Sequence, residues 1–202
     1  MTTYNVTVVD YRTSNLLSIV KAFQKVGATV ELTQSPERIR NSSRLVLPGV
    51  GAFGAAMRNI ESLGIGRAIM EFGKGGAPLL GVCLGMQLLF TVSFERGVYD
   101  GLGLIPGEVV SFNSSVKVPH IGWNQVDFVK RSKLFSGLND KEFAYFVHSY
   151  FVKTDPENVS GSTQYGVTFP SVVEKENIFG IQFHPEKSQT FGLTILENFL
   201  KI

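Results

Sequence analysis

The chain has 202 residues, 44% of them hydrophobic and 18% charged, which is enough to bury one substantial core and reads most simply as a single domain over residues 1–202. A net charge of +2 with no dense Lys/Arg block argues against nucleic-acid and membrane partners. One cysteine excludes an internal disulfide, and Met1-Thr2-Thr3-Tyr4-Asn5 carries neither the basic nor the apolar segment of a secretion signal, so a reducing, cytoplasmic setting is expected.

Short β-rich runs alternate with helical patterns over the first half. Residues 5–10 read as a strand, 15–26 as an amphipathic helix and 29–32 as the next strand. Ser35-Pro36-Glu37-Arg38 has the form of a capped helix start with proline at its first position. A strand over 45–47 runs into Pro48-Gly49-Val50-Gly51, a helix is predicted over 54–72, and a strand over 79–82 leads to Cys83. The most apolar stretch, 77–90, is interrupted by Pro78, Gly81, Gly85 and Gln87 and reads as a core strand and helix rather than a membrane span. From 103 to 166 short strands separated by Gly, Asn and Pro turns suggest an antiparallel extension. Residues 178–183 then rejoin the sheet and 192–200 close as a helix. The expected fold class is α/β, a mostly parallel central sheet flanked by helices with an antiparallel extension in the second half. Ligands of such sheets lie at the carboxyl ends of the strands, where Gly49 and Cys83 both fall.

Three segments carry chemistry. In Gly81-Val82-Cys83-Leu84-Gly85 the small flanks suit a sharp strand-to-helix bend that presents the cysteine to a cleft. The N–H groups and positive dipole end of the following helix favour a thiolate there, although a buried structural thiol fits the same turn. Near the C-terminus a strand ends in His184-Pro185-Glu186, where the carboxylate can hold one imidazole nitrogen while the other faces the thiol. A surface turn with an ordinary imidazole is the alternative. The Pro48-Gly49-Val50-Gly51 loop can turn successive N–H groups into an anion-binding concavity, to which the Leu84 N–H adds, or it can simply connect. No Gly-Lys-Ser/Thr follows it, which excludes a phosphate loop. Gln87 lies four residues after Cys83 and can face the same cleft. The few Cys and His residues are too widely spaced for a metal site, so no metal is assigned.

In the order glycine loop, cysteine elbow and His-Pro-Glu, these segments resemble the class I, triad-type glutamine amidotransferases. Val9-Asp10-Tyr11 with Asn15-Leu16, Pro119-His120-Ile121-Gly122-Trp123-Asn124, Tyr145-Phe146-Val147-His148-Ser149-Tyr150 and His184-Pro185-Glu186-Lys187-Ser188-Gln189 are similar to glutaminase subunits of imidazole glycerol phosphate synthases, a resemblance covering almost the entire chain. It implies a glutaminase that needs no cofactor, with Cys83 as nucleophile, His184 as base, Glu186 as its orienter, and the N–H groups of Gly51 and Leu84 at the oxyanion. Glu95, Ser149 and Tyr150 would line the L-glutamine site with Gln87. Ammonia would pass to a cyclase subunit of (β/α)8 barrel fold in histidine biosynthesis, with Trp123, Asn124, Tyr145 and Lys187 at or near the partner face. A related glutaminase feeding a surface-sugar synthetase would keep the same motifs and stands as the alternative. His120 and His148 read as packing residues. One departure is visible: the family's Asp-Tyr-Gly-x-Gly-Asn is Asp10-Tyr11-Arg12-Thr13-Ser14-Asn15 here, which predicts a reshaped first βα loop.

Overall fold

The structure, a computed structural model, describes residues 4–13, 15–113 and 115–202. In chain order the elements are β1 (Tyr4–Val9), α1 (Leu16–Lys25), β2 (Ala28–Thr33), α2 (Pro36–Arg40), β3 (Leu45–Leu47), α3 (Phe53–Ser62), α4 (Gly66–Lys74), β4 (Leu79–Val82), α5 (Leu84–Leu88) and β5 (Phe90–Ser93). They continue as β6 (Tyr99–Asp100), β7 (Ile105–Ser111), β8 (His120–Phe128), β9 (Glu142–His148), β10 (Tyr150–Lys153), β11 (Val159–Tyr165), β12 (Val167–Lys175), β13 (Ile178–Ile181) and α6 (Gln189–Leu200).

A nine-stranded sheet has the order β2-β1-β3-β4-β13-β12-β11-β8-β9. From β2 to β13 every pairing is parallel, and from β13 to β9 every pairing is antiparallel, so the expected extension is continuous with the parallel half. Alternate residues of the parallel strands feed two cores. Val6, Val8, Val46, Leu80 and Phe179 face α1 and α6, where Phe199 packs edge-on against Phe23 and Phe179. Val9, Leu45, Leu47, Leu79 and Ile178 face the opposite layer with Phe53, Ile60, Ile69 and Phe72 from α3 and α4. Near-continuous apolar strands covered on both faces are what a parallel arrangement requires.

One expectation is corrected. The helix expected over 54–72 is two helices, because Gly64 takes φ +65° and the Ile65 and Gly64 N–H groups fold back to the Ile60 and Glu61 carbonyls, a glycine C-cap with Ile65 and Ile60 both buried. The run 145–150 also divides, at Ser149. There the chain leaves β9 in the large sheet and enters β10 in a second, four-stranded sheet of order β10-β7-β5-β6.

Candidate active site

The site is assembled by one strand pairing. β13 inserts beside β4 in parallel register, with Ile181 opposite Val82, so the residues that follow each strand meet at the same carboxyl edge. The Cys83 N–H donates to the Ile181 carbonyl at 2.8 Å, which ties the elbow to the segment leading into His184. The loop after β3 reaches the same edge.

Cys83 has φ 54° and ψ −110°, outside the regions an L-residue ordinarily occupies. The flanks show why the sequence holds glycine. A Cβ on Gly85 would lie 1.7 Å from the Leu47 carbonyl oxygen, and one on Gly81 would lie 2.7 Å from that of Gly85. The bend does not expose the thiol, however; Cys83 is only 6% exposed, with the Gln182 amide against its sulfur at 3.8 Å. The helix after it is a single turn, α5, so its dipole contribution is smaller than a long helix would give.

His184 Nδ1 and Glu186 Oε1 are 2.8 Å apart, and both side chains are buried. Pro185 starts a 3₁₀ turn over Pro185–Lys187 that brings the carboxylate back to the ring. Ser188 locks this turn to β9: its hydroxyl donates to the His184 carbonyl at 2.6 Å and accepts the Tyr145 N–H at 2.9 Å. The His184 N–H reaches the Tyr145 carbonyl at 2.9 Å. Burial disfavours a charged ring, but the neighbouring Cys83 sulfur and then Glu186 outweigh it and raise the His184 pKa to about 10. Its Nε2 is buried with no hydrogen-bond partner among the described residues.

The glycine loop is held from the first βα loop. The Tyr11 hydroxyl, kept protonated by burial, donates to the Pro48 carbonyl. The Thr13 hydroxyl donates to the Val50 carbonyl at 3.1 Å and accepts the Val50 N–H at 3.3 Å. Arg12 adopts φ +62° although it is not glycine, steadied by its N–H to Asp10 Oδ1 at 2.9 Å; Ser14 lies outside the described residues. Gly51 takes φ +107°, and the Leu84 N–H points to the Gly49 carbonyl at 3.4 Å, so in this arrangement that donor is committed within the loop.

The remaining expected residues fall into three places. Gln87 is buried beside the elbow and gives its Nε2 hydrogens to the Tyr150 carbonyl and to Gln182 Oε1, each at 3.0 Å. Glu95 stands at the start of α3, where Oε2 accepts the Phe53 N–H at 2.7 Å. Ser149 and Tyr150 sit at the passage between the two sheets. On the outer face Trp123 and Tyr145 pair across β8 and β9, edge to face at 6.1 Å between centroids, with Lys187 Nζ 5.5 Å from the Tyr145 ring. Asn124 does not join them: its carboxamide turns inward to His120 Nε2 at 3.2 Å and the Gln164 carbonyl at 3.0 Å. Sequence reasoning passed over Gln182 and Ser188. The signal for Gln182 was a lone amide in the apolar run before His184, a polar group that strand burial obliges to find partners.

A family model described as glutamine amidotransferase class-I matches residues 7–202. Over 198 residues the chain is 50% identical to the imidazole glycerol phosphate synthase subunit HisH of Archaeoglobus fulgidus, covering 98% of each. The chain belongs to the HisH family of class I glutamine amidotransferases. This amidotransferase is also 44% identical over 200 residues to HisH 1 of Campylobacter jejuni, covering 98% of this chain and 100% of that one. Its fold matches a crystal structure of a glutamine amidotransferase with TM-score 0.77 and 18% identity, over 97% of both chains. The same TM-score, 0.77, relates it to the PurLQS structure from Thermotoga maritima, at 20% identity and 98% of both chains. Among the described residues no helix is long and apolar enough to cross a membrane.

Proposed function

We propose that this chain is the glutaminase subunit of an imidazole glycerol phosphate synthase, releasing ammonia from L-glutamine for a cyclase subunit of (β/α)8 barrel fold in histidine biosynthesis. The observation that carries the reading is the Cys83 elbow at the end of β4 beside the buried His184–Glu186 pair at the end of β13. The cysteine sulfur, its proton taken by His184, attacks the carboxamide carbon. Negative charge then develops on oxygen, to be met by the N–H groups of Leu84 and Gly51 once the loop releases the Leu84 donor from Gly49. The C–N bond breaks as His184 returns the proton, ammonia leaves, and a thioester remains on Cys83. Water, deprotonated by the same histidine, releases glutamate, while Glu186 keeps the imidazole in the required tautomer.

Glutamine recognition is assigned to Gln87, Glu95, Ser149 and Tyr150. Both Nε2 hydrogens of Gln87 are committed, so its part in recognition runs through Oε1 as an acceptor. Glu95 offers its carboxylate to the substrate ammonium. The face formed by Trp123, Tyr145 and Lys187 is assigned to the cyclase, with Asn124 behind it. A thiol that must stay reduced suits the cytoplasm. Relatives of 44% and 50% identity over nearly the whole chain bear the synthase-subunit name, which disfavours a surface-sugar synthetase as the acceptor. Co-purification with a barrel cyclase, followed by glutamate release with and without that partner, tests the assignment; stimulation only by a sugar-modifying enzyme would overturn it.

A further inference from the structure

Beside the triad residues, three amides and two imidazoles form a hydrogen-bonded array that ends on the Cys83 sulfur. Its centre is the main-chain carbonyl of Tyr150, which lies 2.8 Å from His148 Nδ1 and 3.0 Å from Gln87 Nε2. A carbonyl oxygen only accepts, so both of these nitrogens donate to it. A neutral His148 with hydrogen on Nδ1 must accept at Nε2, and it does so from His120 Nδ1 at 3.0 Å. His120 in turn accepts at Nε2 from Asn124, at 3.2 Å. On the other branch Gln87 gives its second N–H to Gln182 Oε1 at 3.0 Å. That contact fixes the flip of the Gln182 amide, so Nε2 and not Oε1 faces the sulfur, at 3.8 Å. One carbonyl thus sets two tautomers and three amide orientations.

The surroundings keep the array neutral. His120 is stacked on Phe146 and Tyr165, and His148 is packed at a tilt against Phe112 and Phe169. Burial holds His148 down at about 3 and His120 at about 4, with the nearby His184 also acting against a charge on His148.

We propose that Gln182 is a catalytic residue whose amide N–H is donated to the Cys83 sulfur, and that His148, held by His120, is a positioning residue that keeps the Tyr150 carbonyl where it orients Gln87 and, through Gln87, this donor. An N–H aimed at sulfur favours the attacking thiolate, whereas a carbonyl oxygen in the same place would repel it. The inference rests on reading Cys83 as the nucleophile.

The test uses the full chain without glutamine or partner. Imidazole ¹⁵N spectra at pH 7 should show His148 and His120 neutral with hydrogen on Nδ1; a charged ring, or hydrogen on Nε2 of His148, overturns the proposal without any variant being made. The rate of Cys83 alkylation by iodoacetamide should fall about tenfold or more in Gln182→Glu and in Gln182→Leu, the loss of a charge-assisted hydrogen bond. His148→Leu should slow alkylation as well, and His148→Asn, which keeps a donor at the Nδ1 position, should restore it. Equal rates in the parent and in folded variants overturn the Gln182 role alone. Glutamine-dependent turnover retained by Cys83→Ala in complex with its cyclase overturns the nucleophile reading and this proposal with it.

Discussion

Replacing Glu186 by glutamine removes a charge and one atom's identity while keeping the side-chain volume, which isolates what the carboxylate does for His184. The pair is 2.8 Å apart with side chains 3% and 6% exposed, and Glu186 Oε2 has no hydrogen-bond partner, so the ring is the carboxylate's one polar contact among the described residues. A glutamine can present either end to Nδ1. With its NH2 inward, Nδ1 becomes the acceptor and Nε2 carries the hydrogen, so the ring cannot take the thiol proton. With its carbonyl inward the tautomer survives, but the charge that helps raise His184 to about 10 is gone. The expected loss in glutaminase kcat is about 10²–10⁴, or about 3–5 kcal/mol at 1.36 kcal/mol per decade. KM should stay within about twofold, because the group is assigned to orient the base and its buried carboxylate meets only the ring among the described residues. Steady-state glutamate release by the chain with its cyclase, with a thermal melt to confirm folding, measures both. A raised KM with kcat unchanged would move Glu186 from catalysis to recognition and refute the reasoning.

Cys83→Ala should abolish glutamine-dependent synthesis by the complex and spare synthesis from added ammonium, assayed with both nitrogen donors. The chain alone should be a feeble glutaminase, lower by about 10²–10³ than the complex carrying its acceptor, since the Leu84 donor is turned to Gly49; full turnover by the lone chain would count against this gate. Gly85→Ala should cost about 1–3 kcal/mol or more in urea unfolding, as its Cβ meets the Leu47 carbonyl oxygen at 1.7 Å. His148 and His120 titrate near 3 and 4 when folded, so the unfolded chain binds their protons first and stability should fall as pH drops from 6.5 through that range. His184 has the opposite sign: its contribution is complete below 6.5 and fades as pH rises through about 10, both limbs being readable from denaturation midpoints against pH.

The parallel half of the fold was legible because β3, β4 and β13 are short apolar runs, each flanked on one side by Pro48, Pro78 or Asn177. The triad candidates were legible because glycine flanks and His-Pro-Glu restrict local geometry within a few residues of each reacting group. What escaped the sequence depends on distant partners. The break at Gly64 follows from a C-cap that Leu63-Gly64-Ile65 announced only weakly within an otherwise amphipathic run. The inward turn of Asn124 depends on His120 and Gln164, which are four and forty residues away. Likewise the orientation of the Gln182 amide depends on Gln87, 95 residues earlier, and its contact with Cys83 spans 99 residues.

The position of β13 has a bearing on how the protein comes into being. The thiol belongs to the strand ending at Val82 and its base follows the strand ending at Ile181, so the two meet only when a segment near the C-terminus slots between β4 and β12. Such a non-local contact forms late, after a long closure has been paid in chain entropy. Throughout synthesis on a ribosome the cysteine therefore waits without its base or its Gln182 amide, and the nascent chain carries no competent glutaminase. Ammonia production is confined by topology to molecules that have finished folding.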